Sequence, residues 1–540
     1  MKMVKSLLLG SAAAFVAFAG AQAADLPVKA KPVEYVKVCS LYGAGFYYIP
    51  GTDTCIRYSG FIRYEANFHS QASGAQDVSV AGTPQTTGMQ AANNFNQNYY
   101  FQRVRVAWLT DTRTQTEYGT LRSFSYLYFT NSGGDGNAGT APTLLQGYIQ
   151  LAGFTVGKFK SAFFTPWSSN AGTYNGALFY PDDAGASTGV AYTWQFGNGV
   201  SATINVTDPR RTTLWQQDTA INAGPTIASM GNKYISGFHA PDILANIQVD
   251  QAWGFFHVGG VLHELAGGYY GNAAANAVNS TTAVTALETS GRPDTRWGWG
   301  VNAGLNLKNL PTGAGDQLFL NAAYTDGATA YQTNNSPNTG VALFGPGNPA
   351  GLNALNQTMG FSFVADGVYV NPNSGIGGNA QIQTIKVWTA QAAFEHFWIP
   401  AKLKSSLYGY GGYFDFGAAQ TIGAANPGQS ANQIICSRFT PGFANQPANS
   451  ATFTAGSNCN FNFGYWAVGS RTTWYPVKDL EIAADVGYTQ YQFANAGQAS
   501  IVQPTATGNT VNFPTSKPAG IYNIANQGVL SGYLRVVRSW

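Results

Sequence analysis

Residues 55–68, "CIRYSGFIRYEANF", split by parity into two unlike sets. Ile56, Tyr58, Gly60, Ile62, Tyr64, Ala66 and Phe68 form an uncharged, apolar set, while Arg57, Ser59, Phe61, Arg63, Glu65 and Asn67 form a mostly polar one. Strict alternation is the mark of a strand whose faces meet different surroundings. The stretch is long for a strand on a soluble sheet, and no charge falls on its hydrophobic side. A chain built of such strands has few ways to fold, and the question is which solvent each face meets.

The pattern recurs throughout. Alternating stretches lie at 99–109, 116–129, 144–153, 154–160, 189–197, 199–207, 243–254, 255–267, 296–308, 316–326, 385–398, 402–416, 461–475, 479–493 and 528–540, which with 55–68 makes sixteen. Only 10% of the 540 residues are charged, against about a quarter in ordinary globular proteins. The chain carries 64 Gly and 30 Tyr but 5 Met and 5 His. This composition cannot cover a soluble surface of that size with charge, and it suits a chain that presents much of its outside to lipid. Beyond the first residues no uninterrupted apolar run reaches the ~18 residues a helical span requires. The expected fold is therefore all-β: a sixteen-stranded antiparallel transmembrane barrel, one face toward hydrocarbon and the other toward water inside. Closing the sheet pairs every backbone group, as lipid demands. Tyr99, Tyr100, Trp108, Trp398, Trp474 and Tyr475 are expected at the interfaces, with Trp540 ending the last strand.

The connections alternate in length. Short ones are read at 111–115 ("DTRTQ"), near Gly153, at 197–199, at Trp253-Gly254, and at 309–315, 399–401 and 476–478. Long ones cover about 69–97, 131–143, 161–187, 208–241, 268–294, 327–383, 417–460 and 494–526. Short turns on the periplasmic side and long loops outside is the barrel pattern.

Residues 1–23 read as a cleaved secretory leader, with Lys2 and Lys5, an apolar core from Leu7 to Phe18, and an Ala21-Gln22-Ala23 site. Residues 24–54 form an N-terminal periplasmic, barrel-entry segment, and 55–540 the barrel. The four cysteines fall into two sequence-local pairs, and in an oxidising compartment they are expected to bond as Cys39–Cys55 and Cys436–Cys459. No C-x-x-C spacing supports zinc instead. The net charge is +3, of which Lys2 and Lys5 supply two, too balanced for nucleic acid as a partner.

The segment "ADLPVKAKPVEYVKVCSLYGAGFYYIPGTDTCIRYSGFIRYEANF" (24–68) resembles the alphaproteobacterial general porins, as do "QTEYGTLRSF" (115–124), "GFTVGKFKSAFF" (153–164) and the closing "GYLRVVRSW" (532–540). The resemblance implies a homotrimer of sixteen-stranded barrels in the outer membrane of a Gram-negative bacterium, each with its third loop folded into the pore. It implies a water-filled channel for passive diffusion of ions and small hydrophilic solutes, not an enzyme, with no cofactor. The expected surroundings are outer-membrane lipid and lipopolysaccharide. The loops at 327–383 and 417–460 are large for such a protein and bear on shielding of the pore.

Parity places the chemistry. Arg57 and Arg63 share the polar face of the first strand, Arg103 and Arg105 oppose Val104 and Val106, and Arg122 lies between Leu121 and Ser123. A charge turned toward lipid costs ~2–4 kcal/mol at the midplane, so these five arginines are expected to line one sector of the lumen as a pore constriction. Glu65 and Glu117 are the nearby carboxylates that could instead satisfy them. The counter-charge is expected from the third loop, residues 161–187, through Asp182 and Asp183, giving a field across the pore. Lys158 and Lys160 share parity with Phe154 and Val156, at odds with a lumen role, and Arg538 shares parity with Leu534, Val536 and Trp540 and so faces outward. His263-Glu264 opens an H-E-x-x-H pattern that fails at Gly267, and His257 with His263 reads as lumen wall.

Overall fold

A computed structural model describes residues 37–69, 100–132, 142–167, 171–173, 186–210, 214–217, 236–270, 288, 291–333, 340–344, 358–370, 381–421, 430–436, 451–453, 457–501 and 520–540. Sixteen strands form the wall: β1 Cys55–His69, β2 Tyr100–Thr116, β3 Gly119–Ser132, β4 Thr143–Leu151, β5 Phe154–Phe159, β6 Ser187–Gly197, β7 Val200–Thr207 and β8 Asp242–Gln251, then β9 Gly254–Leu265, β10 Arg296–Lys308, β11 Gln317–Asp326, β12 Lys386–Ile399, β13 Leu403–Asp415, β14 Phe463–Trp474, β15 Leu480–Phe493 and β16 Gln527–Ser539. Each pairs antiparallel with the next, and β16 pairs with β1 from Phe61↔Ser539 to His69↔Ser531, so the sheet is closed. The backbones of Gly60 and Trp540 exchange two further hydrogen bonds at 3.2 and 3.1 Å, clasping the two ends. Gly60 is required there: a Cβ would sit 2.6 Å from the Trp540 ring and 2.3 Å from the Ala107 carbonyl. No described helix is long and apolar enough to cross a membrane; the chain crosses with strands.

The alternation does what the pattern demands. Tyr58, Ile62, Val104, Trp108, Ile149, Val156, Val258, Leu407, Val468 and Leu534 all point outward and are exposed, while Glu65, Asn67, Asp111, Asn205, Asn302 and Asp485, of opposite parity, are buried inside. Trp398, Trp474 and Trp540 stand on the outer surface, and Arg538 faces outward beside Asp479 at 3.6 Å. Tyr99 lies outside the described residues.

One turn differs from expectation. "DTRTQ" is not a connection: β2 runs to Thr116 and turns at 117–118. Threonines on the outward face (Thr110, Thr112, Thr114) opposite Asp111, Arg113 and Gln115 make both parities polar, which hides the strand.

The N-terminal segment is tied to this end. Tyr47–Tyr48 adds a short pairing to β1 (Tyr48↔Cys55), and the Cys39–Cys55 disulfide spans a Cα separation of 6.0 Å. Closing a loop of this length stabilises by about 3 kcal/mol through the unfolded chain. Replacing both cysteines with serine is therefore expected to lower the barrel's unfolding midpoint in denaturant; an unchanged midpoint would show that the bridge adds nothing.

The long connections are not bare loops. Gly367–Val370 pairs in parallel with Leu214–Gln217 and antiparallel with Gln383–Thr384. Gly340–Phe344, Thr358–Phe363, Gly520–Ile524, Gln498–Ile501 and Ala451–Phe453 form a second small sheet, and the helix α1, Ala431–Cys436, is joined to Asn458–Cys459 by the Cys436–Cys459 disulfide. A hydrophobic cluster runs from this outer layer into the lumen. It joins Val364, Val368, Ile434 and Phe461 to the lumen-facing Tyr408, Tyr410, Phe414, Phe463, Tyr465 and Tyr491. Phe414 and Phe463 stack at 4.4 Å. The β12–β16 half of the interior is thus packed with aromatics beneath the outer loops.

Candidate functional site

The ladder registers give the lumen wall of β1, β2 and β3 row by row. From the outer side the rows read Glu65–Arg103–Ser132, Arg63–Arg105–Thr130, Phe61–Ala107–Tyr128, Ser59–Leu109–Tyr126, Arg57–Asp111–Phe124 and Cys55–Arg113–Arg122. All five sequence-predicted arginines face the lumen on this one wall. Arg113, and Arg535 on β16, join them, so that seven arginines stand against two carboxylates among the described residues of β16 and β1–β4.

They form two clusters. In the outer one Glu65 is nearly fully buried and ion-paired to Arg103 Nε at 2.6 Å, Arg63 Nε at 3.1 Å and Arg535 Nε at 3.7 Å. Arg105, beside them, donates from Nε to Thr130 Oγ1 at 2.8 Å and lies over the Tyr128 ring at 4.1 Å; no carboxylate among the described residues pairs with it. In the inner cluster Asp111 is the hub. Arg113 donates to its two oxygens at 3.1 and 2.9 Å, Arg122 at 3.0 Å to each, and Arg57 stands 3.9 Å away with its side chain 41% exposed. Arg57 and Arg113 each lie 5.0 Å from the Phe46 ring, so the disulfide-bound N-terminal segment packs against this cluster. Of the two glutamates that could satisfy the arginines, Glu65 does so, whereas Glu117 sits exposed in the turn.

Asp111 was hidden with its strand, and its replacement has a definite consequence. Asp111→Ala leaves Arg57, Arg113 and Arg122, which are 25–41% exposed, facing one another without a carboxylate, a loss of about 1.5–3 kcal/mol for the charge-assisted hydrogen bonds removed. Expected is a lower melting temperature of the barrel's β-sheet signal, partly restored in Asp111→Asn; equal stability of all three would refute the hub.

The described part of the third loop lies inside the barrel, across the lumen from these arginines. Asn205 Oδ1 accepts the Ala162 N–H at 3.2 Å, Asn246 Nδ2 donates to Ala162 O at 2.9 Å, Asn302 Nδ2 donates to Phe163 O at 2.8 Å, and His257 Nε2 meets the same carbonyl at 3.1 Å. Further along, Gln391 reaches Ala171 O at 3.4 Å, and Thr173 donates to Asp485 Oδ2 at 2.9 Å. Gly304 is needed for this approach, since a Cβ there would lie 2.2 Å from Thr165 Cγ2. Amide and imidazole groups of β7–β10 and β12 hold the loop's backbone, and a carboxylate on β15 holds the Thr173 hydroxyl. The pairing is non-local, and no pattern within the loop announces it. Asp182 and Asp183, the expected counter-charge, lie outside the described residues.

The remaining predicted groups are also placed. His257 and His263 face inward, as parity requires; His263 Nδ1 is 2.7 Å from Asp242 Oδ1, and Tyr331 donates to Asp242 Oδ2 at 2.6 Å. This buried network knits β8 and β9 to the outer loops. Lys158 points outward and donates to Leu144 O at 2.9 Å, so it is not a lumen residue, and Lys160 is exposed just beyond β5. On the far wall Glu395 pairs with Arg471 at 2.6 Å and Lys404 at 2.9 Å, an inward triad on β12–β14 that the sequence reading passed over. No cluster of metal-ligating side chains is present among the described residues.

A closed sheet with an apolar exterior and an interior lined by paired charges is a transmembrane β-barrel channel. Residues 25–515 match the model of the Porin subfamily, and the chain belongs to that family. It is 34% identical to porin Omp2b of Brucella abortus (strain 2308) over 355 residues, 61% of this chain and 87% of that one. With porin Omp2b of Brucella neotomae it shares 37% over 265 residues, 46% of this chain and 63% of that one. Similarity in shape extends to the outer membrane channel DcaP of Acinetobacter baumannii, with a TM-score of 0.48 at 13% identity, covering 91% of this chain and 99% of that one. The protein resides in the Gram-negative outer membrane, crosses it with strands, and is a channel for passive diffusion of small solutes.

Proposed function

We propose that the water path runs along the β16–β5 side of the barrel, between the arginine wall and the third loop, and that it favours anions. The single observation behind this is the imbalance of seven lumen arginines against two carboxylates on one wall, facing a loop held inward by six wall residues. Arg57, Arg63, Arg103, Arg105 and Arg122 act as the constriction's basic side, and Asp182 with Asp183 supplies the opposing charge. Solutes that keep hydrogen-bonding to pore water pass, whereas bulky or apolar ones lose hydration and do not.

The assembly is a homotrimer in this reading. Its support is a polar patch on the outer surface: Thr110↔Ser125 and Thr112↔Ser123 are register pairs on the outward parity of β2 and β3, and Thr112 hydrogen-bonds Ser123. Hydroxyls at membrane depth favour a protein neighbour over lipid. Lys158, outward at the extracellular rim, and Lys160, exposed just beyond the strand, suit lipopolysaccharide phosphates. Residues 1–23 are the cleaved leader.

Purified protein in a planar bilayer under a potassium chloride gradient tests this. Large ohmic steps in groups of three with an anion-selective reversal potential are expected; absence of steps, or cation preference, would overturn the reading.

A further inference from the structure

The lumen wall of β1–β3 has a feature that simple anion preference does not use. Between the outer basic row, Arg63–Arg105, and the inner one, Arg57–Asp111, lie two uncharged rows, Phe61–Ala107–Tyr128 and Ser59–Leu109–Tyr126. Rows of like-facing residues are ~6.7 Å apart along a strand, so the shelf between the arginines spans ~20 Å. Phe61 and Tyr126 meet edge to face at 6.4 Å, and Tyr126 and Tyr128 at 6.3 Å. Ala107, set between Phe61 and Tyr128, is wholly covered, so the two rings stand on either side of a small residue. Below, Phe124 and Tyr148 stack at 5.2 Å beside Arg122. All these rings are half-buried, as a wall meeting water would leave them.

The guanidiniums at the ends of the shelf have donors to spare. Arg105 has no carboxylate partner among the described residues, and its guanidinium carbon already lies 4.1 Å from the centre of the Tyr128 ring. Arg57 has one ion pair, at 3.9 Å, and its side chain is 41% exposed. A guanidinium lying beside an aromatic face offers two complementary surfaces: a fork of donors for a carboxylate, and a π-face for a ring attached to it. Seven guanidinium charges without rings beside them would take any small anion equally.

We propose that this shelf is a binding site for planar aromatic carboxylates, with the carboxylate on Arg105 and the ring against Phe61 and Tyr126, and with Arg57 receiving the anion at the inner end. The inference rests on the channel reading and deepens it: the path is anion-favouring, and within it aromatic acids are retained and handed along the wall. Stacking on an exposed ring is worth enough to separate an aromatic acid from an aliphatic one of the same charge by about tenfold.

Benzoate, acetate and benzyl alcohol, added singly to open channels in potassium chloride, test it. Benzoate is expected to reduce the chloride current saturably, at a half-blocking concentration about tenfold below that of acetate, with no effect of benzyl alcohol. In Phe61→Leu/Tyr126→Leu the advantage of benzoate over acetate is expected to vanish. In Arg105→Gln the block by benzoate weakens several-fold. Equal block by benzoate and acetate in the unaltered channel, equal block by cyclohexanecarboxylate and benzoate, or a benzoate advantage that survives loss of both rings, each overturns the site. Unitary conductance in potassium chloride alone serves as the separate readout: its absence removes the channel reading, whereas its presence with indifferent benzoate removes only the shelf.

Discussion

Replacing Arg57, Arg105 and Arg122 with glutamine is expected to lower the chloride-over-potassium permeability ratio about fivefold. A unit charge ~8 Å from a passing ion contributes about 0.5 kcal/mol at the dielectric constant of water. Arg57 and Arg122, in adjoining rows, favour chloride and disfavour potassium by about 1 kcal/mol each. Screening at 0.1 M salt, where the Debye length is ~10 Å, removes about half of the combined effect, and Arg105 acts separately at the outer end of the wall. Glutamine keeps length and hydrogen bonding, and Asp111 retains Arg113 at 2.9 Å, so the wall is expected to stand. The reversal potential across a salt gradient is the measurement. A ratio unmoved by the triple substitution would show that ions pass elsewhere, and a larger shift at low salt than at high salt would fix its origin as electrostatic.

The second large effect concerns the third loop. Asn246→Ala, Asn302→Ala and His257→Ala combined leave the Ala162 and Phe163 carbonyls without the amide and imidazole groups at 2.9, 2.8 and 3.1 Å that hold them. Each buried carbonyl left unmade costs about 1–3 kcal/mol. The sum is enough to release the loop's first turn from the wall for much of the time. Expected are a unitary conductance at least twice that of the unaltered channel, noisier open levels, and passage of larger neutral sugars in a vesicle-swelling assay. Conductance and size limit both unchanged would mean that the aromatic contacts, Phe163 against Phe164 and Tyr331, hold the loop by themselves.

The sequence announces the wall better than it announces what the wall holds. Every barrel strand was visible because lipid on one side and water on the other impose a period of two, and this is a purely local signal. Parity likewise placed Arg57, Arg63, Arg103, Arg105 and Arg122 inward and Arg538 outward. It failed where the outward face is itself polar: Thr110, Thr112 and Thr114 made the end of β2 look like a turn and concealed Asp111 and Arg113. Arg535 was overlooked for the opposite reason, since its inward neighbour Val537 breaks the polar set near the barrel end. The asparagine clamp could not be read at all. Asn205, Asn246 and Asn302 owe their role to a loop that passes over them, and that contact is a property of the closed barrel, not of any one strand. The same holds for the aromatic filling of the β12–β16 side, where Tyr408, Phe414 and Tyr465 looked like ordinary wall residues until the outer loops were laid over them.

The clasp between Gly60 and Trp540 has a bearing on how such a molecule comes into being. The first strand of the ring finds its second neighbour only in the last thirteen residues of the chain, with Phe61 facing Ser539 across nearly the whole sequence. Until those residues arrive, β1 is a raw edge with half its hydrogen-bonding groups unmet, which water can solvate but hydrocarbon cannot. Completion is therefore all-or-nothing and falls at the end, after the longest loop closure the chain has to make. A polypeptide cut short by even its terminal strand would be a curled sheet with two sticky margins. Trp540, seated over a residue that has no side chain to obstruct it, adds its backbone bonds to the seam that closes the sheet.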